Sequence, residues 1–166
     1  FGLPEYDARI LTEEKPMAEL FERAAAVCGR AKEASNWIMG ETMAMMKEKA
    51  VLPENLTLSG DALGAIIRAA ADGRISRQSA REVFAYAFDG GEDVEGYIER
   101  HGLEMVSDDA AYERVLGEVL AACEKDVAAY RAGNEKVFGF LVGQAMKALR
   151  GKADPKKISE MLGKML

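Results

Sequence analysis

The sequence predicts an all-α fold of about eight helices in two small helical subdomains. Val and Ile are few, while Ala and Met are many, a balance that favours helix. Apolar residues recur mostly at spacings of three and four, and no segment alternates in the manner of a convincing strand. Ser or Asp caps pair repeatedly with a closing Gly, the start and stop signals of successive helices.

Phe1 to Leu11 reads as irregular, because Gly2 and Pro4 resist a helix. Thr12 is placed to cap a first helix over roughly 13–28, with Pro16 in the tolerated first turn. Gly29 interrupts. A second helix runs from about Ala31 to Lys49, and Trp37, Ile38, Met39, Met43 and Met46 crowd one broad side of it. Residues 50–58 form a connector around Pro53. Ser59 caps a helix that ends near Asp72–Gly73, and Ser76 caps the next, which ends near Gly90–Gly91. A short helix over about 93–101 stops at Gly102. Ser107, with Asp108 and Asp109, starts another, broken near Cys123–Glu124 and closed by Gly133. Asn134 caps a helix that ends at Gly151, and Asp154 followed by Pro155 starts the last. A boundary near Gly102–Ser107 divides the chain into domains at 1–103 and 104–166.

Composition narrows the chemistry. The chain has 166 residues, 49% apolar and 30% charged, the balance of a globular protein rather than a disordered one. No apolar run reaches the ~18 residues that span a bilayer, so no membrane partner is expected. No charged-then-apolar leader opens the chain, and Phe1 in place of Met is what a piece of a longer chain or a processed product would show. Cys28 and Cys123 form no CxxC and read as inert, which fits a reducing cytoplasm. His101 is the sole histidine. Zinc sites and His-based triads need more, so no metal ligand and no catalytic residue is expected.

The net charge of −6 hides an asymmetry. Up to residue 130 there are 14 Lys and Arg against 25 Asp and Glu, a net of −11; beyond it there are 8 against 3, a net of +5. A basic end on an acidic body points to an anionic partner met by that end.

The helix 135–150 carries the most information. Turned at 100° per residue, it places Lys136, Gly139, Phe140, Gly143, Lys147 and Arg150 on one side, with Gln144 at its edge. Phe138, Leu141, Val142, Ala145 and Leu149 fall on the other. A glycine costs roughly 0.8–1 kcal/mol against alanine inside a helix, so two on one polar face call for a reason. One reason is close approach of a nucleic-acid backbone, with cations on the phosphates and Phe140 stacked on a base or ribose. The other is helix packing across Gly139-x-x-x-Gly143. Gly151-Lys152 is no phosphate loop, because the glycine spacing is wrong and no strand leads into it.

Elsewhere the plainer readings prevail. Trp37, Met39, Met43 and Met46 read as core. His101 reads as a cap or surface residue. Asp108–Asp109 suit a helix N-terminus rather than a paired-carboxylate site. Arg74, Arg77 and Arg81 read as a solvated face, with a second anion contact as the alternative.

Several segments resemble a known family: LPEYDARILTEEK (3–15), ASNWIMGE (34–41), DGRISRQSAREVF (72–84), GLEMVSD (102–108) and above all YRAGNEKVFGFLVGQAMKALRGKADP (130–155). Together they are similar to the C-terminal region of the GatB subunit of the glutamine-dependent aspartyl/glutamyl-tRNA amidotransferase (GatCAB), the region shared with YqeY proteins. Gly139, Phe140, Leu141, Val142, Gly143, Gln144, Met146, Lys147, Gly151, Lys152, Ala153 and Pro155 match the pattern. Asn134 stands where Lys is usual, Leu149 where Thr is common, Asp154 where Asn is usual, and Cys123–Glu124 where Asn–Pro is usual.

The resemblance implies a helical domain (1–103) and a YqeY-like tail domain (104–166) that hold tRNA. It implies as partners tRNA(Gln) or tRNA(Asn), the amidase subunit (GatA) and the GatC subunit of the same complex. ATP and Mg are implied for the full-length enzyme alone, since the catalytic cradle lies outside this chain, which is expected to be inactive by itself. The expected RNA-binding set is Lys136, Gly139, Phe140, Gly143, Gln144, Lys147, Arg150, Lys152, Lys156 and Lys157. The alternatives are a structural or protein-docking helical module, or a YqeY-like protein without a direct tRNA role.

Overall fold

A computed structural model describes residues 1–105 and 109–166, and the described residues contain ten helices and no strand. They fall into two compact units, Phe1–Leu103 and Glu104–Leu166. Ten helices replace the expected eight because Phe1–Leu11 holds one that the sequence does not suggest, and the break near Cys123–Glu124 divides another into two.

The first extra helix is α1, Glu5–Glu13. The expectation of an irregular Phe1–Leu11 fails because Pro4 is the N-cap and so lies outside the hydrogen-bonded turns it would break. Glu5 and Asp7 in the first turn favour the helix dipole, and Leu11 is buried. Thr12 therefore caps nothing: it lies inside α1 and donates to the Ala8 carbonyl at 2.8 Å. The break comes at Glu14, whose extended backbone opens α2, Lys15–Cys28. Gly29, with φ +67°, then closes α2 by donating to the Ala25 carbonyl.

Helix α3 runs through Ala31–Trp37, a π-helical stretch Ile38–Thr42 and Met43–Lys49. A 3-10 turn at Pro53–Asn55 follows. Helices α4 (Gly60–Ala71), α5 (Arg77–Phe88) and α6 (Val94–Arg100) begin at side-chain caps. Ser59 accepts from the Ala62 amide, Ser76 from the Ser79 amide and Asp93 from the Gly96 amide.

The core of this unit joins Leu20, Phe21 and Ala24 of α2 to Leu63, Ile66 and Ile67 of α4, with Val83 and Phe84 of α5. Helices α2 and α4 approach at glycines. A Cβ on Gly60 would lie 2.5 Å from Arg23 Cβ, and one on Gly64 would lie 2.6 Å from Val27 Cβ and 2.9 Å from the Ala24 carbonyl. Arg23 clamps the same seam, its Nε and Nη2 donating to the two Asp61 oxygens at 2.9 and 2.6 Å. This pair holds the Asp61 carboxyl below the usual range.

In the second unit the helix expected to start at Ser107–Asp108 is described from Asp109, and those two residues lie outside the described ones. Here α7 (Asp109–Ala122) and α8 (Glu124–Arg131) are separate helices, divided at Cys123 where the sequence places a break, which supplies the second addition to the count. Helix α9 spans Lys136–Ala148 and α10 spans Pro155–Met165. Asn134 is not the cap of α9; Glu135 occupies that place and makes no capping bond. Asp154 does cap α10, accepting from the Lys156 amide at 2.9 Å.

Tyr112, Leu116, Leu141, Ala145, Ile158 and Leu162 are buried in this unit, all but Leu141 in one shared cluster. Tyr112 is 2% exposed, and burial pushes its hydroxyl above the ordinary value near 10 despite the nearby Lys157. A raised folded-state value stabilises below the unfolded pKa and is lost as pH climbs through the folded one. Tyr112 should therefore be the last tyrosine to ionise in an ultraviolet absorbance titration. The second unit should lose stability as the pH rises beyond about 10, and a Tyr112→Phe variant should lose less.

Candidate nucleic-acid interface

The surface of interest is the outward side of α9. The helix exists because its inward positions, Leu141, Ala145 and Leu149, offset the cost of ordering by burial at 0–7% exposure. Phe138, Val142 and Met146 pack partly buried against the same cluster. That fixes the rotation of the helix and sends Lys136, Gly139, Phe140, Gly143 and Lys147 to solvent. Phe140 is 48% exposed, a large apolar side chain with no core role. Gln144 lies at the edge of this face and is partly buried.

The two glycines are open. A Cβ on Gly139 or Gly143 would meet no atom within 4 Å beyond its own turn. No helix of its own unit packs on this pair, so packing within the unit does not explain it. The contrast is with Gly60 and Gly64, which share the same four-residue spacing and are closed by α2. Sequence reading singles out the open pair and passes over the closed one. Pattern alone does not separate them; the cations at Lys136 and Lys147 flanking the open pair are the signal that does.

The end of the helix adds further charge. Gly151 donates to the Met146 carbonyl at 2.9 Å and Arg150 to the Lys147 carbonyl at 3.0 Å, closing α9. Arg150 has φ +52° and Gly151 φ +69°. The left-handed backbone at Arg150 is uncommon for a residue other than Gly or Asn, and its side chain is exposed.

Among the described residues Lys136, Lys147, Arg150 and Lys156 make no ion pair, so their charge is available to an anion. Lys152 is half-buried and already engaged. Lys157 is engaged too: it pairs with Asp109 and lies 5.2 Å from the Tyr112 ring centroid. The ten residues of the expected set therefore divide. Lys136, Gly139, Phe140, Gly143, Gln144 and Lys147 share α9, Arg150 and Lys152 follow it, and Lys156 and Lys157 open α10.

Of the remaining residues, His101 is exposed at the end of α6 and its ring stacks on Tyr97 at 4.1 Å. Cys28 is buried, Cys123 is half-buried, and both are free thiols. No group of three or more His, Cys, Asp or Glu among the described residues is arranged to hold a metal ion. No described helix is long and apolar enough to cross a membrane.

An open glycine on a helix costs stability without a folding return. Gly143→Ala should raise the stability of the second unit by up to about 1 kcal/mol. For a unit this small that is a rise of roughly 4–8 °C in the thermal midpoint, readable by circular dichroism or calorimetry.

A family model described as the GatB domain matches residues 19–166. Curated relatives described as the B subunit of aspartyl/glutamyl-tRNA(Asn/Gln) amidotransferase match across the whole chain. The protein from Lachnospira eligens is 42% identical over 172 residues, that from Lachnoclostridium phytofermentans 43% over 166, and that from Azotobacter vinelandii 44% over 171. Each alignment takes in 100% of this chain and 35–36% of the relative, so the chain spans about a third of the length of these relatives.

Proposed function

This chain belongs to the GatB domain family, and on that premise we propose that it is the non-catalytic, tRNA-holding C-terminal part of an amidotransferase GatB subunit. In this reading residues 1–103 are the helical domain and 104–166 the YqeY-like tail. The α9 face meets the RNA. Lys136, Lys147 and Arg150, with Lys156 nearby, hold phosphates. Gly139 and Gly143 let the backbone approach the helix axis, Phe140 stacks on a base or ribose, and Gln144 reaches the edge of the same surface.

The observation that carries the reading is the open glycine pair between unpaired cations. A pair that bears the helix-propensity cost and contacts nothing in its own unit is accounted for by a ligand that needs the space.

The longer protein supplies the chemistry. There the misacylated Glu-tRNA(Gln) or Asp-tRNA(Asn) is converted to its amide with ATP, Mg²⁺ and the amidase and GatC subunits of the complex, in the cytoplasm. Within that assembly this chain positions the tRNA and transfers no group.

Gly143→Leu tests the proposal. The side chain should fill the floor and lower tRNA affinity about tenfold or more, equivalent to about 1.4 kcal/mol. Its thermal midpoint should hold or rise, because leucine is the better helix former. A variant that melts early yet binds tRNA normally when folded would instead point to helix packing across Gly139-x-x-x-Gly143.

A further inference from the structure

A cleft of about 270 Å³ opens in the first unit, lined by Glu33, Asn36, Trp37 and Glu41 of α3, Ala70 of α4 and Arg77 of α5. Sequence reading places Trp37 in the core. The structure gives it a double position: its ring packs on Phe84 with centroids 5.7 Å apart, yet it stays partly exposed and forms part of the cleft wall.

The local backbone is unusual at this point. The π-helical stretch Ile38–Thr42 begins directly after Trp37, and the Thr42 hydroxyl donates to the Trp37 carbonyl at 3.2 Å. Such π-helical insertions are rare and recur at functional sites. The spacing of Glu33, Trp37 and Glu41 then brings all three to one side of α3, where they line the cleft together.

The charges around the cleft are unequal. Glu41 is paired with Arg81 at 3.0 Å, while Arg30 is shared between Asp72 at 3.1 Å and Glu33 at 3.7 Å. Arg77 is exposed and has no ion-pair partner among the described residues. The cleft thus offers an indole wall, an exposed carboxamide at Asn36 and, at Arg77, one guanidinium with no ion-pair partner among the described residues. A flat ring bearing an anionic group matches all three: the ring on the indole, its polar edge on the amide, the anion on the guanidinium.

We infer that this cleft is a nucleotide site, with the base stacked on Trp37, its edge at Asn36 and its phosphate held by Arg77. This site is separate from the α9 face and stands or falls independently of it. A free nucleoside monophosphate and an unpaired nucleotide within an RNA strand carry the same chemistry, and the test separates them.

Trp37 is the only tryptophan of the chain, so its fluorescence reports on this cleft alone. The 166-residue chain is titrated with adenosine monophosphate, with adenosine, and with a short single-stranded oligoadenylate. The monophosphate should quench the emission saturably with a dissociation constant on the order of 1 mM, as expected of one stack and one ionic contact. Adenosine should bind about fivefold or more weaker, and Arg77→Glu should weaken the monophosphate about tenfold or more at an unchanged thermal midpoint. An oligonucleotide that binds about tenfold tighter than the monophosphate identifies RNA as the source, while equal affinity identifies the free nucleotide. Absence of saturable quenching by monophosphate and oligonucleotide alike would overturn the inference. So would equal quenching of the parent and Arg77→Glu proteins.

Discussion

Gly64→Ala lowers the stability of the first unit by about 1–3 kcal/mol, the range of an overpacked core. Alanine is the better helix former by about 1 kcal/mol, so the sign of the outcome decides between propensity and packing. Packing prevails because the new methyl would lie 2.6 Å from Val27 Cβ and 2.9 Å from the Ala24 carbonyl. The first of these is a branched carbon fixed to its backbone, and the second is backbone itself. Neither retreats without moving α2 away from α4, the contact on which the first core is built. Gly64→Leu should prevent the unit from folding. Chemical denaturation followed by circular dichroism measures both, and a Gly64→Ala protein as stable as the parent would refute the close approach. The same substitution at Gly143 has the opposite expected sign, because nothing faces it. The two variants measured side by side separate a glycine held by the fold from one that the fold does not need.

Lys147→Glu lowers tRNA affinity about tenfold or more at moderate salt, through loss of one phosphate contact and gain of a repulsive charge. Lys147 is exposed on the solvent side of α9 and makes no ion pair among the described residues, but it lies in the last turn, where an acid opposes the helix dipole. The exchange should therefore lower the thermal midpoint by a few degrees without unfolding the unit at the temperature of the binding measurement. It should also make the salt dependence shallower by about 0.7–0.9 in slope, the signature of one lost counterion-releasing contact. Lys157→Glu is the informative contrast. Lys157 already serves Asp109 and the Tyr112 ring, so its loss should disturb the second unit's packing as well as any RNA contact.

The all-helical fold is legible in the sequence because its signals are local. Ser59, Ser76 and Asp154 cap the helices their sequence context assigns to them. The departures share a cause: a residue type that permits a role without compelling it. Pro4 has the chemistry of a helix breaker, yet it stands before the first turn of α1 and breaks nothing. Thr12 and Asn134 have the side chains of N-caps, but Thr12 falls within a helix and Asn134 falls one residue too early. Capping depends on backbone dihedrals that the residue type does not fix.

The α9 face is legible for a different reason. Its apolar stripe sets the rotation of the helix, and the rotation sets what faces solvent. Whether a glycine pair faces space or another helix depends on which partner arrives from elsewhere in the chain. Gly60 and Gly64 meet Arg23 and Val27 of α2, far upstream, information that no local window contains. The engagement of Lys157 by Asp109 and the double position of Trp37 are likewise long-range outcomes.

The central claim is that the unpaired cations of α9 and its flanks meet a polyanion. The most direct measurement is the affinity of the unmodified chain for a tRNA(Gln) or tRNA(Asn) transcript across a series of salt concentrations. With Lys136, Lys147, Arg150 and Lys156 as contacts, log K should fall against log salt with a slope of about −3, at roughly 0.7–0.9 per contact. Binding that ignores salt, or no binding at low salt and about 100 µM chain, a concentration at which even weak non-specific nucleic-acid contacts register, would contradict it.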